Sequence, residues 1–234
     1  MPDSADGLRS IQRVDFGYFV RPGNETLSGK PHVEACLGYL IDTRDGHLLV
    51  DTGLGSEPET DAYYRSHAIG VDEALAKTGS STREVRWVIN CHLHFDHCGG
   101  NPLFAGRPIF TQREELDMAR NHDNYTLPEL IDSPGLTYEV LDGETEVLPG
   151  IIVIPTPGHT VGHQSVAVRA PDGTVIVAGQ SNDSTTDFSR CAAALRATRN
   201  GDADDLEFPS WVGRLLDLDP ARIVFAHDHS VWQP

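Results

Sequence analysis

The feature that most limits how this chain can fold is the run His92-Leu93-His94-Phe95-Asp96-His97, three imidazoles and a carboxylate within six residues. It follows the apolar segment Val88-Ile89 directly. Burying so many titratable groups without a cation would cost several kcal/mol in desolvation, so the crowding points to a metal site at the end of a strand. In an extended segment alternate residues share a face. His92 and His94 therefore point together while Leu93 and Phe95 turn to the packing side, and a bend at Gly99-Gly100 is expected to carry Asp96 and His97 to a neighbouring position. Such an arrangement can hold two ions close together, one by His92 and His94 and one by Asp96 and His97.

Neither ion would then have enough ligands, and further donors are expected at the ends of other strands. His159 in Thr156-Pro157-Gly158-His159 and His227 in Phe225-Ala226-His227-Asp228 both follow apolar, strand-like segments directly.

The surrounding pattern is mixed α/β. Strands are expected over Ile11 to Val20, His32 to Ile41, His47 to Val50, Val85 to Asn90, Arg107 to Gln112, Ile151 to Pro155, Ser165 to Arg169, Thr174 to Ala178 and Arg222 to Phe225. Helices are expected over Val71 to Lys77, Arg113 to Arg120 and Trp211 to Leu216. Tyr138 to Leu141 and Glu144 to Val147 flank Asp142-Gly143, a two-residue hairpin signal. The polar loop from Asn121 to Gly135 is long enough for a lid or substrate wall, and Phe19, Tyr63 and Tyr64 are candidate wall residues. At 234 residues the chain is expected to form one domain over 1–234.

Charge narrows the partners. Eighteen basic against thirty-five acidic side chains give a formal charge of −17, which disfavours a nucleic-acid partner and favours a small-molecule substrate. No apolar stretch is long enough to cross a bilayer, and Met1 to Gly7 lacks the pattern of a secretory signal. A cytoplasmic location without membrane attachment is therefore expected; assembly as a homo- or hetero-oligomer stays open. Cys36, Cys91, Cys98 and Cys191 form no CxxC pair and read as structural thiols, with Cys98 as an alternative soft ligand.

The HLHFDH run, the upstream LLVDTG, the downstream TPGHTVGHQS and the late AHD occur in this order over most of the chain, and together they resemble the metallo-β-lactamase superfamily. CHLHFDHCGGN and TPGHTVGHQS most resemble the N-acyl homoserine lactonase-type hydrolases. The resemblance implies an αβ/βα sandwich of two mixed β-sheets flanked by helices, with a dinuclear zinc site at the sheet edges. It assigns His92, His94 and His159 to one ion and Asp96, His97 and His227 to the other, with Asp51 orienting ligands from behind. Members of the family carry a bridging Asp at the position occupied here by Gln180, and the lactonases carry a Tyr at the position of Asp183. A neutral amide is a poorer bridge than a carboxylate. One or two ions are therefore expected, Zn²⁺ first with Mn²⁺ or Fe²⁺ as alternatives, and Asp183 is a candidate replacement carboxylate.

The resulting expectation is a hydrolase that uses a metal-bound hydroxide on a small ester- or lactone-like substrate, since a divalent ion lowers the pKa of bound water from 15.7 to about 7. Asp96 is the candidate proton carrier and Asp183 a second catalytic candidate. A thioester or activated ether substrate remains open, as does a catalytically silent metal-binding relative.

Overall fold

The computed structural model describes residues 8–26 and 28–234; the Met1 to Gly7 segment lies outside them. In chain order the strands are β1 (Leu8–Arg21), β2 (His32–Thr43), β3 (Gly46–Val50), β4 (His67–Ala68), β5 (Val85–Ile89), β6 (Pro108–Gln112), β7 (Thr137–Leu141), β8 (Thr145–Leu148), β9 (Ile151–Pro155), β10 (Gln164–Ala170), β11 (Gly173–Val177) and β12 (Pro220–Val224). The helices are α1 (Pro58–Tyr64), α2 (Val71–Lys77), α3 (Phe95–Cys98), α4 (Arg113–Asn121), α5 (Pro128–Ile131), α6 (Thr185–Asn200) and α7 (Trp211–Leu216). Among the described residues no helix is long and apolar enough to cross a membrane.

Period-two alternation explains why the strands stack as two sheets with helices outside. One seven-stranded sheet runs β4-β1-β2-β3-β5-β6-β7 and one five-stranded sheet runs β12-β11-β10-β9-β8. Tyr39 and Ile41 of β2 meet Val166 and Val168 of β10 between the sheets. Leu40, one residue out of phase, turns outward to Leu75 of α2, and Ala167 turns outward to Phe188 of α6 and Val212 of α7. A one-residue slip would exchange these faces, so the two-sided apolar pattern specifies the register. Each large aliphatic or aromatic side chain so buried is worth roughly 1.5–3 kcal/mol of transfer free energy. The result is an αβ/βα sandwich.

Two local expectations are corrected. Asp142-Gly143 joins no hairpin: β7 pairs in parallel with β6, while β8 pairs with β9 in the other sheet. The turn is where the chain crosses between sheets, because the partners of β7 and β8 are set by distant strands. Gln112 holds the crossing, its Oε1 accepting from the Gly143 N–H at 2.9 Å and its Nε2 donating to Gln164 Oε1 at 2.9 Å. The reversal after His94 is likewise made by the single turn α3 and not by a Gly99-Gly100 bend. Gly99 serves packing instead, since a Cβ there would lie 2.0 Å from the Gly55 nitrogen.

The longest helix, α6, was not anticipated. Its signals are nonetheless present: Ser184 caps the Asp187 N–H, Gly201 at φ 77° closes the C-terminus, and Phe188, Ala192 and Leu195 recur on one buried face. Alanines and arginines between them dilute the apolar period.

Candidate metal centre

Every candidate ligand stands just beyond the C-terminal end of a strand. His92 and His94 follow β5, with Asp96 and His97 in α3; His159 follows β9, Gln180 follows β11 and His227 follows β12. Strands β9, β11 and β12 run in one direction, so their ends share an edge. The sheets are tied together at that edge. Leu37 N–H donates to the Ala226 carbonyl and Gln164 N–H to the Cys91 carbonyl, and Tyr39 Oη donates to the Phe225 carbonyl at 2.9 Å.

Two trios of donor atoms result. His94 Nδ1 lies 3.1 Å from His92 Nε2 and 3.1 Å from His159 Nε2. His97 Nε2 lies 3.3 Å from His227 Nε2, and Asp96 Oδ2 lies 3.5 Å from each of them. The donor atoms of His92, Asp96 and His97 fall within 4.8 Å of one another, so the trios adjoin.

The braces behind the rings select which nitrogen faces inward. Asp51 Oδ2 accepts from His97 Nδ1 at 2.8 Å and Oδ1 accepts from the Cys91 N–H at 2.8 Å. The Ala35 carbonyl accepts from His227 Nδ1 at 2.6 Å. Asp51 adopts φ 60°, a left-handed conformation costly for a non-glycine residue and characteristic of functional sites. The carbonyl of His97 is itself held, by the Thr52 N–H at 2.8 Å and Asn90 Nδ2 at 3.0 Å.

Electrostatics prepares four of these rings and the Asp96 carboxylate as ligands. Burial, reinforced by neighbouring rings, pushes His92 well below the usual imidazole range, His94 to about 4 and His159 to about 2. Burial also lowers His227, against the pull of Asp96. These four rings are neutral at pH 7 and offer lone pairs. At His97 burial acts in the same sense, but the carboxylates of Asp51 and Asp96 outweigh it and raise the ring to about 9. Burial opposes charge on Asp96, yet His97, His227 and His94 bring it to about 2.

The residues fit a divalent cation. Lone-pair nitrogens gathered at 3.1 Å repel one another, and that spacing is close to the edge of about 3.3 Å expected for a tetrahedron with zinc–nitrogen bonds of about 2.0–2.1 Å. Asp96 Oδ2 and Gln180 Oε1 are buried without a hydrogen-bond partner, an arrangement that an ion would explain.

Gln180 lies at the trios' edge. Its N–H donates to His163 Nε2 at 3.0 Å and its Nε2 to Asp183 Oδ1 at 3.2 Å. That second bond fixes the amide so that Oε1 is the atom left unpartnered. Asp183 is thus tied to Gln180 and lines a cavity of about 580 Å³ with His159 and His227, outside both trios. A larger cavity of about 840 Å³ opens on His94, Asp96 and His159. Its walls include Phe19 and Tyr64, as expected, and much of the segment from Asn121 to Asp132. Tyr63 instead sits half-exposed with its hydroxyl on Asn24.

Three functional neighbours were missed. Glu115, fully buried, accepts from the Leu93 N–H at 2.7 Å, Tyr125 Oη at 2.5 Å and Thr160 Oγ1 at 2.6 Å. It thereby joins the His92-His94 segment, the cavity wall and the His159 loop. Its sequence setting, Arg113-Glu114-Glu115, reads as an exposed helix start; only the phase shared with Leu116 and Ala119 marks it as buried. His163, the second histidine of TPGHTVGHQS, bonds Thr156 Oγ1 at 2.8 Å and supports Gln180. Arg21 closes β1 on the cavity rim. Cys98 is no ligand candidate: its buried thiol contacts the Leu93 carbonyl, and burial pushes its pKa up.

Comparison with known proteins agrees with this geometry. An N-acyl homoserine lactonase from Bacillus sp. is 35% identical over 144 residues, 56% of this chain and 57% of that enzyme, so the match spans just over half of the relative's length. The N-acyl homoserine lactonase AttM of Rhizobium johnstonii is 28% identical over 219 residues, 83% of this chain and 82% of that one. A solved N-acyl homoserine lactone hydrolase with N-hexanoyl-L-homoserine bound at its catalytic metal centre superposes with TM-score 0.73 at 25% identity, covering 95% of this chain and 94% of that one. The family model described as the metallo-beta-lactamase superfamily matches residues 33–227; with the sandwich fold and the six converging candidate ligands in place, the chain belongs to that superfamily.

Proposed function

We propose that this protein is a metal-dependent hydrolase that opens a lactone or a comparably small ester. The observation that carries the reading is the pair of adjoining trios, His92/His94/His159 and Asp96/His97/His227, at the floor of the larger cavity. Relatives named as N-acyl homoserine lactonases support a lactone as the substrate.

His92, His94 and His159 would hold one divalent ion and Asp96, His97 and His227 a second, with zinc suited to this nitrogen-rich set. Bound there, such an ion acidifies water and polarises a carbonyl oxygen. Asp96 is ionised and lines the cavity. It takes a proton from the attacking water and returns it to the alkoxide oxygen released when the acyl carbon–oxygen bond breaks. The product is a hydroxy acid. Asp51 keeps His97 Nδ1 protonated so that Nε2 faces the centre. Asp183 acts as a positioning residue, holding the Gln180 amide by its nitrogen and leaving Oε1 without a hydrogen-bond partner.

The test is a panel of a γ-lactone, an aryl ester and a thioester assayed before and after chelation. Lactone turnover that a chelator stops and zinc or manganese restores is the expected result. Metal retained by the purified protein with no turnover of any panel member would favour the catalytically silent reading instead.

A further inference from the structure

The rings of the metal centre are not all held in the same way. Nδ1 of His97 and Nδ1 of His227 each donate to a fixed acceptor, Asp51 and the Ala35 carbonyl. Among the described residues the His159 ring has a polar contact only through Nε2, with His94. Its place therefore depends on the backbone turn that carries it. That turn runs from Thr156 to His163 between β9 and β10, and the Thr156 N–H closes its base by donating to the His163 carbonyl at 2.8 Å. Two side chains from elsewhere pin it above the base. Glu115 accepts from Thr160, one residue after His159. Trp211 Nε1 donates to the Pro157 carbonyl at 2.9 Å, two residues before His159 and 54 positions away in the sequence.

Trp211 is the first residue of α7 and is 6% exposed. It belongs to the outer apolar cluster with Phe188, Leu195, Val212 and Phe225, so close packing fixes the direction of its N–H. The indole nitrogen only donates, and when buried it needs an acceptor. The acceptor it has lies on the turn that bears a candidate ligand. Phenylalanine could fill the same cluster without that bond. Little freedom separates the pinned carbonyl from His159, because the ring of Pro157 fixes its φ and the Gly158 N–H donates to the Thr160 carbonyl at 3.0 Å.

We propose that Trp211 is a positioning residue for the metal centre, its indole N–H fixing the turn from Pro157 to His159 so that His159 Nε2 meets His92 and His94 around one divalent ion. This rests on the metal-centre reading above. The outer helix layer and the first trio are thereby coupled, and such coupling is reciprocal. A cation held by His159 stabilises the Trp211–Pro157 bond as much as that bond favours the cation.

The test has two arms. Zinc affinity is measured by chelator competition in the wild-type protein and in Trp211→Phe, and hydrogen exchange of the indole N–H groups of Trp87, Trp211 and Trp232 is followed with and without zinc. Loss of one hydrogen bond should weaken zinc binding roughly threefold to tenfold. Zinc should slow exchange at Trp211 and leave Trp87 and Trp232 nearly unchanged, a response that a purely packing role would not produce. The exchange arm uses the wild-type protein, with resonances assigned by their nuclear Overhauser contacts, so it decides the matter even if Trp211→Phe fails to fold. A folded Trp211→Phe with a lower melting temperature but unaltered zinc affinity would overturn the positioning role, as would an equal response to zinc at all three indoles. Wild-type protein that binds no zinc would instead overturn the metal-centre reading and this role with it.

Discussion

The two trios of the metal centre are built from similar donors but braced in different ways. His92, His94 and His159 are three neutral rings whose carrier segments are joined by Glu115, through the backbone N–H of Leu93 and the hydroxyl of Thr160. Asp96, His97 and His227 combine a carboxylate with two rings, and those rings are oriented directly, by Asp51 and by the Ala35 carbonyl. In the first trio the buried acid positions chain segments. In the second it sets a proton on one ring nitrogen. The difference teaches that the second trio depends on electrostatics while the first depends on packing, and each can be disturbed separately.

The largest effect is expected at the carboxylate that only the second trio possesses. Asp96→Asn should lower kcat by about 10²–10⁴ while the far-ultraviolet circular dichroism stays native; full activity in a folded variant would remove Asp96 from the mechanism. Next comes the brace of that trio. Asp51→Asn should weaken metal binding by about 10–100-fold in a chelator competition, because the ring of His97 loses its ionised acceptor. Metal affinity that does not move would mean the left-handed Asp51 serves the fold alone.

A smaller change tests the boundary between the trios. Gln180→Asp adds a negative charge beside the unpartnered amide position and should tighten the weaker metal equivalent by about tenfold or more. Elemental analysis after dialysis reads this without any assay of turnover, and an unchanged metal content would show that Gln180 is not directed at an ion. The smallest effect is expected for Glu115→Gln. An amide keeps an acceptor for Leu93 and Tyr125 while Thr160 can rotate, so roughly 1–3 kcal/mol of stability is at stake. If the first trio rests on packing, its metal affinity should fall only severalfold and in step with the melting temperature.

Much of the fold and site is legible in the sequence, for identifiable reasons. Strands β2, β5, β9 and β10 are runs rich in apolar and β-branched residues, and His92, His94, Asp96 and His97 are crowded within one turn and one extended segment, so local sequence is enough to find them. Helix α6 escaped because its apolar positions are diluted by alanine and arginine, although its caps are well formed. The Asp142-Gly143 turn misled because its chemistry is that of a hairpin, while hydrogen-bonding partners lay in two different sheets. Glu115 and Arg21 carry no local mark of function. Their roles arise from neighbours such as Thr160, Tyr125 and Glu34, each at least ten residues away.

The amino-acid sequence by itself determined the layered α/β pattern, the candidate ligand run from His92 to His97 and the departure at Gln180, because residue patterning and side-chain chemistry are properties of short segments. Only the tertiary structure decided that His159 and His227 meet that run, that Gln180 bonds Asp183 through its amide nitrogen, and that Arg21 pairs with Glu34 beside the cavity. Those are consequences of which strand ends share an edge, and pairing between distant strands is settled by burial and hydrogen bonding across the whole molecule.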